Sequence, residues 1–157
     1  RSNPISRLLQ NARTPAKLSV SGPHGCSSPD WYGVKDQVPT WNYVAVHLSG
    51  TLRMLKHDQL LALLDRLSAH FEAQLAPKPA WKSSKMTPEV LQKMLRQIVP
   101  CSFKIEDIQS TWKLSQNKTD MSRLAAADAV EQTGVGSETI ALAALMRAAE
   151  GSNHSHD

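Results

Sequence analysis

This sequence predicts an α+β domain, a mainly antiparallel sheet with helices packed outside it. Three observations carry that expectation. Strand-like segments rich in β-branched and aromatic residues, above all 41–54, alternate with helical stretches, but not in the regular strand–helix order of a doubly wound parallel sheet. A leucine stripe at helical spacing over 60–71 is wide enough for one core-facing helix. A chain of 157 residues, 41% of them apolar, can bury one core, which sets the expectation of a single domain over 1–150 and a polar tail over 151–157.

Taken in order, Asn3 before Pro4 has the form of an N-cap with proline at the first helical position, and Ile5, Leu8 and Leu9 follow at helical spacing. Leu18 and Val20 alternate with Lys17, Ser19 and Ser21, which predicts a half-buried strand ending at a Gly22-Pro23-His24-Gly25 turn. Trp41 to Met54 is the strongest strand signal, with Gly50 marking a bulge or bend. Asp58 is placed to cap the helix whose stripe is Leu60, Leu61, Leu63, Leu64, Leu67 and Phe71, and this helix should pack on a sheet.

Pro77, Pro79 and two serines make 76–86 a loop with Trp81 as its aromatic anchor. Thr87-Pro88-Glu89 restarts a helix with Val90, Leu91, Met94, Leu95 and Ile98 as its buried face, and Pro100 stops it. Phe103, Ile105 and Ile108 predict a strand and its exit, and Ser110 to Leu114 a further short strand entering a Ser115-Gln116-Asn117 turn. Two alanine-rich helices close the chain. One runs from about Asp120 to Glu131, and the other is capped by Ser137 and turns Ile140, Leu142, Leu145 and Met146 inward.

The net charge of +4 and pI near 9.2 permit contact with phosphate or nucleic acid, but the basic residues are scattered rather than gathered in a run. Cys26 and Cys101 are the only cysteines, neither in a CxxC pair, so a reduced, cytoplasmic setting is the simpler expectation. No apolar run reaches the ~20 residues that span a bilayer, so no membrane partner is expected. His24, His47, His57 and His70 fall on different predicted elements without metal-ligand spacing, and His154 and His156 sit in the polar tail. No GxSxG elbow, Walker loop, GxGxxG turn or HExxH helix is present, so no catalytic residue is assigned. Asn117-Lys118-Thr119 reads as a turn into a capped helix rather than as a glycosylation site.

Two clusters combine aromatic and hydrogen-bonding residues beside strands. One runs Ser28-Pro29-Asp30-Trp31-Tyr32, then Lys35, then Val38-Pro39-Thr40-Trp41-Asn42-Tyr43; the other is Trp112-Lys113-Leu114-Ser115-Gln116-Asn117. Flat apolar walls, amides and hydroxyls for a ring edge, and a cation for phosphate are what an isoalloxazine nucleotide needs. On composition alone the plainer alternative takes precedence: the aromatics fill a sheet core while Asn42 and Asn117 satisfy nearby turns.

The order of these motifs, with the leucine-rich helix and the Thr-Pro-Glu helix between the last two, resembles the flavin-binding negative transcriptional regulators of the PaiB type. The resemblance runs from about Asn3 to the last alanine-rich helix. It implies a split β-barrel similar to the pyridoxamine-phosphate-oxidase-like flavoproteins, and a homodimer holding flavin mononucleotide (FMN) at its interface. Carried over by motif, Thr40, Trp41, Asn42, Lys113, Gln116 and Asn117 are the cofactor-binding positions, converging on one cleft near a subunit interface. Lys113 is the natural partner for phosphate or a ring carbonyl.

Two departures stand out. Family members carry barrel strands that would precede Arg1, so this chain is expected to be an N-terminally incomplete barrel that binds FMN weakly or not at all. Cys26 and Ser27 stand where the family usually has an aromatic and a β-branched residue. A regulator implies DNA, yet no helix-turn-helix with a basic recognition helix is legible. A flavin- or haem-handling oxidoreductase and a non-catalytic dimeric scaffold remain the alternatives on the same fold.

Overall fold

The computed structural model describes residues 3–9 and 13–150. The expected polar tail, 151–157, lies outside the described residues. The elements are helix α1 (Pro4–Leu8), strand β1 (Thr14–Ser27), strand β2 (Thr40–Met54), helices α2 (Leu60–Ala73) and α3 (Pro88–Leu95), strand β3 (Cys101–Lys113), helix α4 (Asp120–Thr133), the short strand β4 (Val135–Ser137) and helix α5 (Thr139–Ala148). The strands form one open antiparallel sheet in the order β3-β2-β1-β4, which bears out the α+β class. The chain divides into two compact units: 1–16 with 49–106, and 17–48 with 107–157.

In the first unit, Asn3 caps α1 as its sequence requires, its side-chain oxygen accepting from Ile5 N at 3.0 Å. Asp58 does not cap α2. It sits inside a 3-10 turn, His57–Gln59, and Gln59 occupies the cap position without a side-chain bond. The stripe of α2 is also less buried than its period predicts: Leu60 is enclosed, whereas Leu67 and Phe71 are exposed. On α3 and its exit only Leu95 is buried, while Val90, Met94 and Ile98 lie open. The loop between them is tied down by Glu72, whose Oε2 accepts from Trp81 N at 2.7 Å and from Lys78 Nζ. Trp81 thus anchors the loop through its backbone N–H as well as its half-buried ring.

β1 does not stop at Gly22-Pro23-His24-Gly25 but continues through it to Ser27. The glycines there serve close approach rather than a turn. A Cβ on Gly136 would lie 2.1 Å from His24 O, so β4 can pair with β1 only because Gly136 is bare, and one on Gly25, 3.1 Å from Val135 O, would press β4 away by a few tenths of an ångström. The register is His24↔Ser137, Gly25↔Gly136 and Cys26↔Val135. Gly50 serves the same purpose in the first unit, since its Cβ would meet Lys104 O at 2.0 Å. The two strands expected over 103–114 are one, β3, because no Gly or Pro interrupts Cys101–Lys113.

The second unit holds a dense core. Ala126, Ala127 and Val130 of α4 meet Leu142, Ala143 and Met146 of α5, with Tyr32, Val44 and Leu114 completing the cluster. Alanines let the helices approach closely. Ser137 belongs to β4 rather than capping α5, and Ile140 is exposed, not inward. Arg123 is buried and caps the far end of α5, donating to Met146 O and, at 3.2 Å, to Arg147 O, with Asp120 at 2.7 Å as its counter-charge.

Candidate functional site

The two polar and aromatic clusters meet inside the second unit. The first enters through a 3-10 turn, Pro29–Tyr32, closed by Gly33 in the left-handed conformation (φ 64°) that glycine adopts without cost. This turn delivers Tyr32 into the core, 2% exposed, with its hydroxyl 3.0 Å from Ser115 Oγ. β2 brings in Asn42, fully buried. Its Nδ2 donates to Ser27 Oγ at 2.7 Å, and its Oδ1 accepts from Ser115 Oγ at 3.1 Å.

Ser115 has one hydroxyl proton, and it is used on Asn42. Tyr32 is therefore the donor to Ser115. The result is a directed chain, Tyr32 to Ser115 to Asn42 to Ser27, in which each buried group is satisfied and each bond polarises the next. Ser115 holds φ 63°, a left-handed conformation costing of order 1–3 kcal/mol for a non-glycine residue, and its two hydroxyl bonds and buried neighbour Leu114 keep it there.

The six sequence-assigned positions divide around this hub. Asn42 lies within it. Thr40 donates from Oγ1 to Val38 O at 3.2 Å and shares a strand face with Asn42. Gln116 is folded back onto β3, accepting from Leu114 N at 2.8 Å and donating to Trp112 O at 2.6 Å. Trp41, one residue out of phase with Asn42, points to the other face of β2, where it is 45% exposed and stacked on His24 at 5.6 Å. Lys113 and Asn117 are exposed, and the Lys113 ammonium has no hydrogen bond or ion pair among the described residues. The hub joins the motifs that carry these residues, whereas the side chains themselves point to more than one surface.

Several participants were not assigned from sequence. Ser27 supplies the acceptor for Asn42, and a buried strand asparagine was the signal that such a partner had to exist. Lys118 lies 5.4 Å from the Tyr32 ring centroid and bonds Gln37 Oε1, adding a cation beside the hub. His24 has a buried Nδ1 with no partner among the described residues, next to the exposed Trp41. No group of three or more His, Cys, Asp or Glu is gathered to hold a metal among the described residues.

Taken separately, the Trp41 face with the unsatisfied imidazole nitrogen of His24 beside it, and the exposed amide and ammonium groups of Asn117 and Lys113, are group types that a planar heterocycle with polar edges uses. Compared with known proteins, residues 1–107 match the family described as "Putative FMN-binding domain". The chain is also 39% identical over 103 residues to the protease synthase and sporulation protein PAI 2 of Bacillus subtilis (strain 168). That alignment covers 66% of this chain and 48% of the relative, so the chain spans about half the length of the curated protein it matches. The family match ends at residue 107, so Lys113, Gln116 and Asn117 lie beyond it.

Proposed function

The chain belongs to the family described as "Putative FMN-binding domain", and on that premise we propose that it binds FMN beside the Asn42 hub and acts, as a homodimer, in negative transcriptional regulation of the PaiB type. The observation that carries the proposal is the buried chain from Tyr32 through Ser115 and Asn42 to Ser27, which makes one rigid floor of the two motifs assigned to the cofactor. On this reading Trp41, with His24 behind it, is the wall for the isoalloxazine ring. Lys113 and Asn117 supply the cation and amide for its polar edge. Asn42, Thr40 and Gln116 set the backbone that presents them. When bound, FMN supplies reversible electron transfer, and the regulatory output is DNA occupancy that differs between its states.

An FMN titration followed by flavin fluorescence tests this. Saturable quenching is expected, with Trp41→Ala and Lys113→Ala each weakening binding by about tenfold, the worth of one stacking or charged contact. Equal affinity in all three proteins would remove these residues from the site, and absence of quenching would remove FMN. Steady turnover of a nicotinamide donor by the flavin-loaded protein would instead favour an oxidoreductase.

A further inference from the structure

The first unit contains a strongly cationic opening that plays no part in the proposed flavin site. Thr51 and Arg53 stand two residues apart on β2, and Ser102, Lys104 and Glu106 two apart on β3, so each set lies along one face of its strand. Arg13, just before β1, joins them to line a cavity of about 500 Å³. Three cations face one carboxylate there, and that carboxylate already accepts from Thr51 Oγ1 at 3.0 Å. The side chains of Arg13, Arg53 and Lys104 have no hydrogen bond or ion pair among the described residues.

Like charges gathered on one wall repel each other, and a structure that leaves three of them unpaired has a ready site for an anion. Two planar guanidinium forks, an ammonium and the Ser102 hydroxyl match the oxygens of a phosphate dianion better than a two-oxygen carboxylate. Glu106, on the same wall, is an acceptor for a ligand hydroxyl. We propose that this cavity binds a phosphate monoester of a polyol or sugar, the phosphate held by Arg13, Arg53 and Lys104 and a neighbouring hydroxyl by Glu106. The cavity volume falls in the range of small-molecule sites, and the carboxylate in its wall opposes a continuous nucleic-acid backbone.

Isothermal titration of the whole chain at low ionic strength tests the assignment, with ribose 5-phosphate, ribose, inorganic phosphate, FMN and a random DNA duplex as probes. Saturable binding of ribose 5-phosphate is expected, weaker for inorganic phosphate and undetectable for ribose. Arg53→Gln and Lys104→Gln, both at exposed positions and each checked for an unchanged melting temperature, should each lower that affinity about tenfold. Ribose 5-phosphate carries no flavin, so its binding is independent of the flavin reading; loss of FMN affinity in Arg53→Gln would identify the flavin's own phosphate as the source of the ester. No heat from ribose 5-phosphate, an affinity unchanged in both variants, or binding of the duplex alone would overturn the proposal.

Discussion

Alanine is the commonest residue of helices α4 and α5, yet Ala126, Ala127, Val130, Leu142, Ala143 and Met146 are fully enclosed. Helices α2 and α3 carry larger apolar side chains, yet Leu67, Phe71, Val90 and Met94 are each between 45% and 58% exposed. A helical stripe states which face seeks burial; whether it is buried depends on what packs against it. Small side chains on α4 and α5 let two backbones come close and share one core with Tyr32, Val44 and Leu114. The unit containing α4 and α5 should therefore hold most of the stability, and the one containing α2 should tolerate change.

The largest expected effect separates the units directly. Leu142→Ala removes a fully buried side chain and should cost ~2–5 kcal/mol, whereas Leu67→Ala on α2 should stay within about 0.5 kcal/mol. Urea denaturation of the two variants measures both. A comparable loss at Leu67 would break the contrast, because it would mean that the α2 stripe is covered in solution.

A smaller effect is expected at the hub. Asn42→Leu keeps the volume but leaves the Ser27 and Ser115 hydroxyls buried without their partner, which should cost ~1–3 kcal/mol. Tyr32→Phe removes only the terminal donor, and Ser115 keeps its bond to Asn42, so about 0.5–1.5 kcal/mol is expected. If Asn42→Leu proved neutral in denaturation, the directed chain would not be holding Ser115 in its left-handed conformation.

What the sequence made legible follows the range of the interactions involved. The Asn3 cap, β2 and the start of α4 at Asp120 were readable because caps and alternation are local. β1 was cut short because Gly-Pro-His-Gly has turn chemistry, and only pairing with β4, about 110 residues later, turns those glycines into close-approach positions. The leucine stripe of α2 was expected to be buried and is enclosed only at Leu60, whereas Leu142 and Met146 of α5 are inward as expected. At the site, the motifs were placed in one hub, but the alternation of β2 puts Trp41 and Asn42 on opposite faces, a constraint already present in their being adjacent. Ser27 and Lys118 enter through contacts 15 and 81 residues apart that no local pattern encodes.

The smallest effect belongs to the first unit and is a matter of pH. The hydrogen bonds from Lys78 and from Trp81 N hold the Glu72 carboxyl below its ordinary 4.5, so the folded form binds the proton less readily than the unfolded chain. Its contribution is then complete above about pH 4.5 and is lost as pH falls through the lower folded value. The melting temperature of the wild type should exceed that of Glu72→Gln by a constant margin at neutral pH, and the margin should shrink toward zero in acid. A margin of zero at every pH would assign the loop's order to Trp81 packing alone. Because Glu72 bonds the 78–81 loop at both ends, acid should loosen it while the alanine-helix core, which contains no buried carboxylate among the described residues, stays intact.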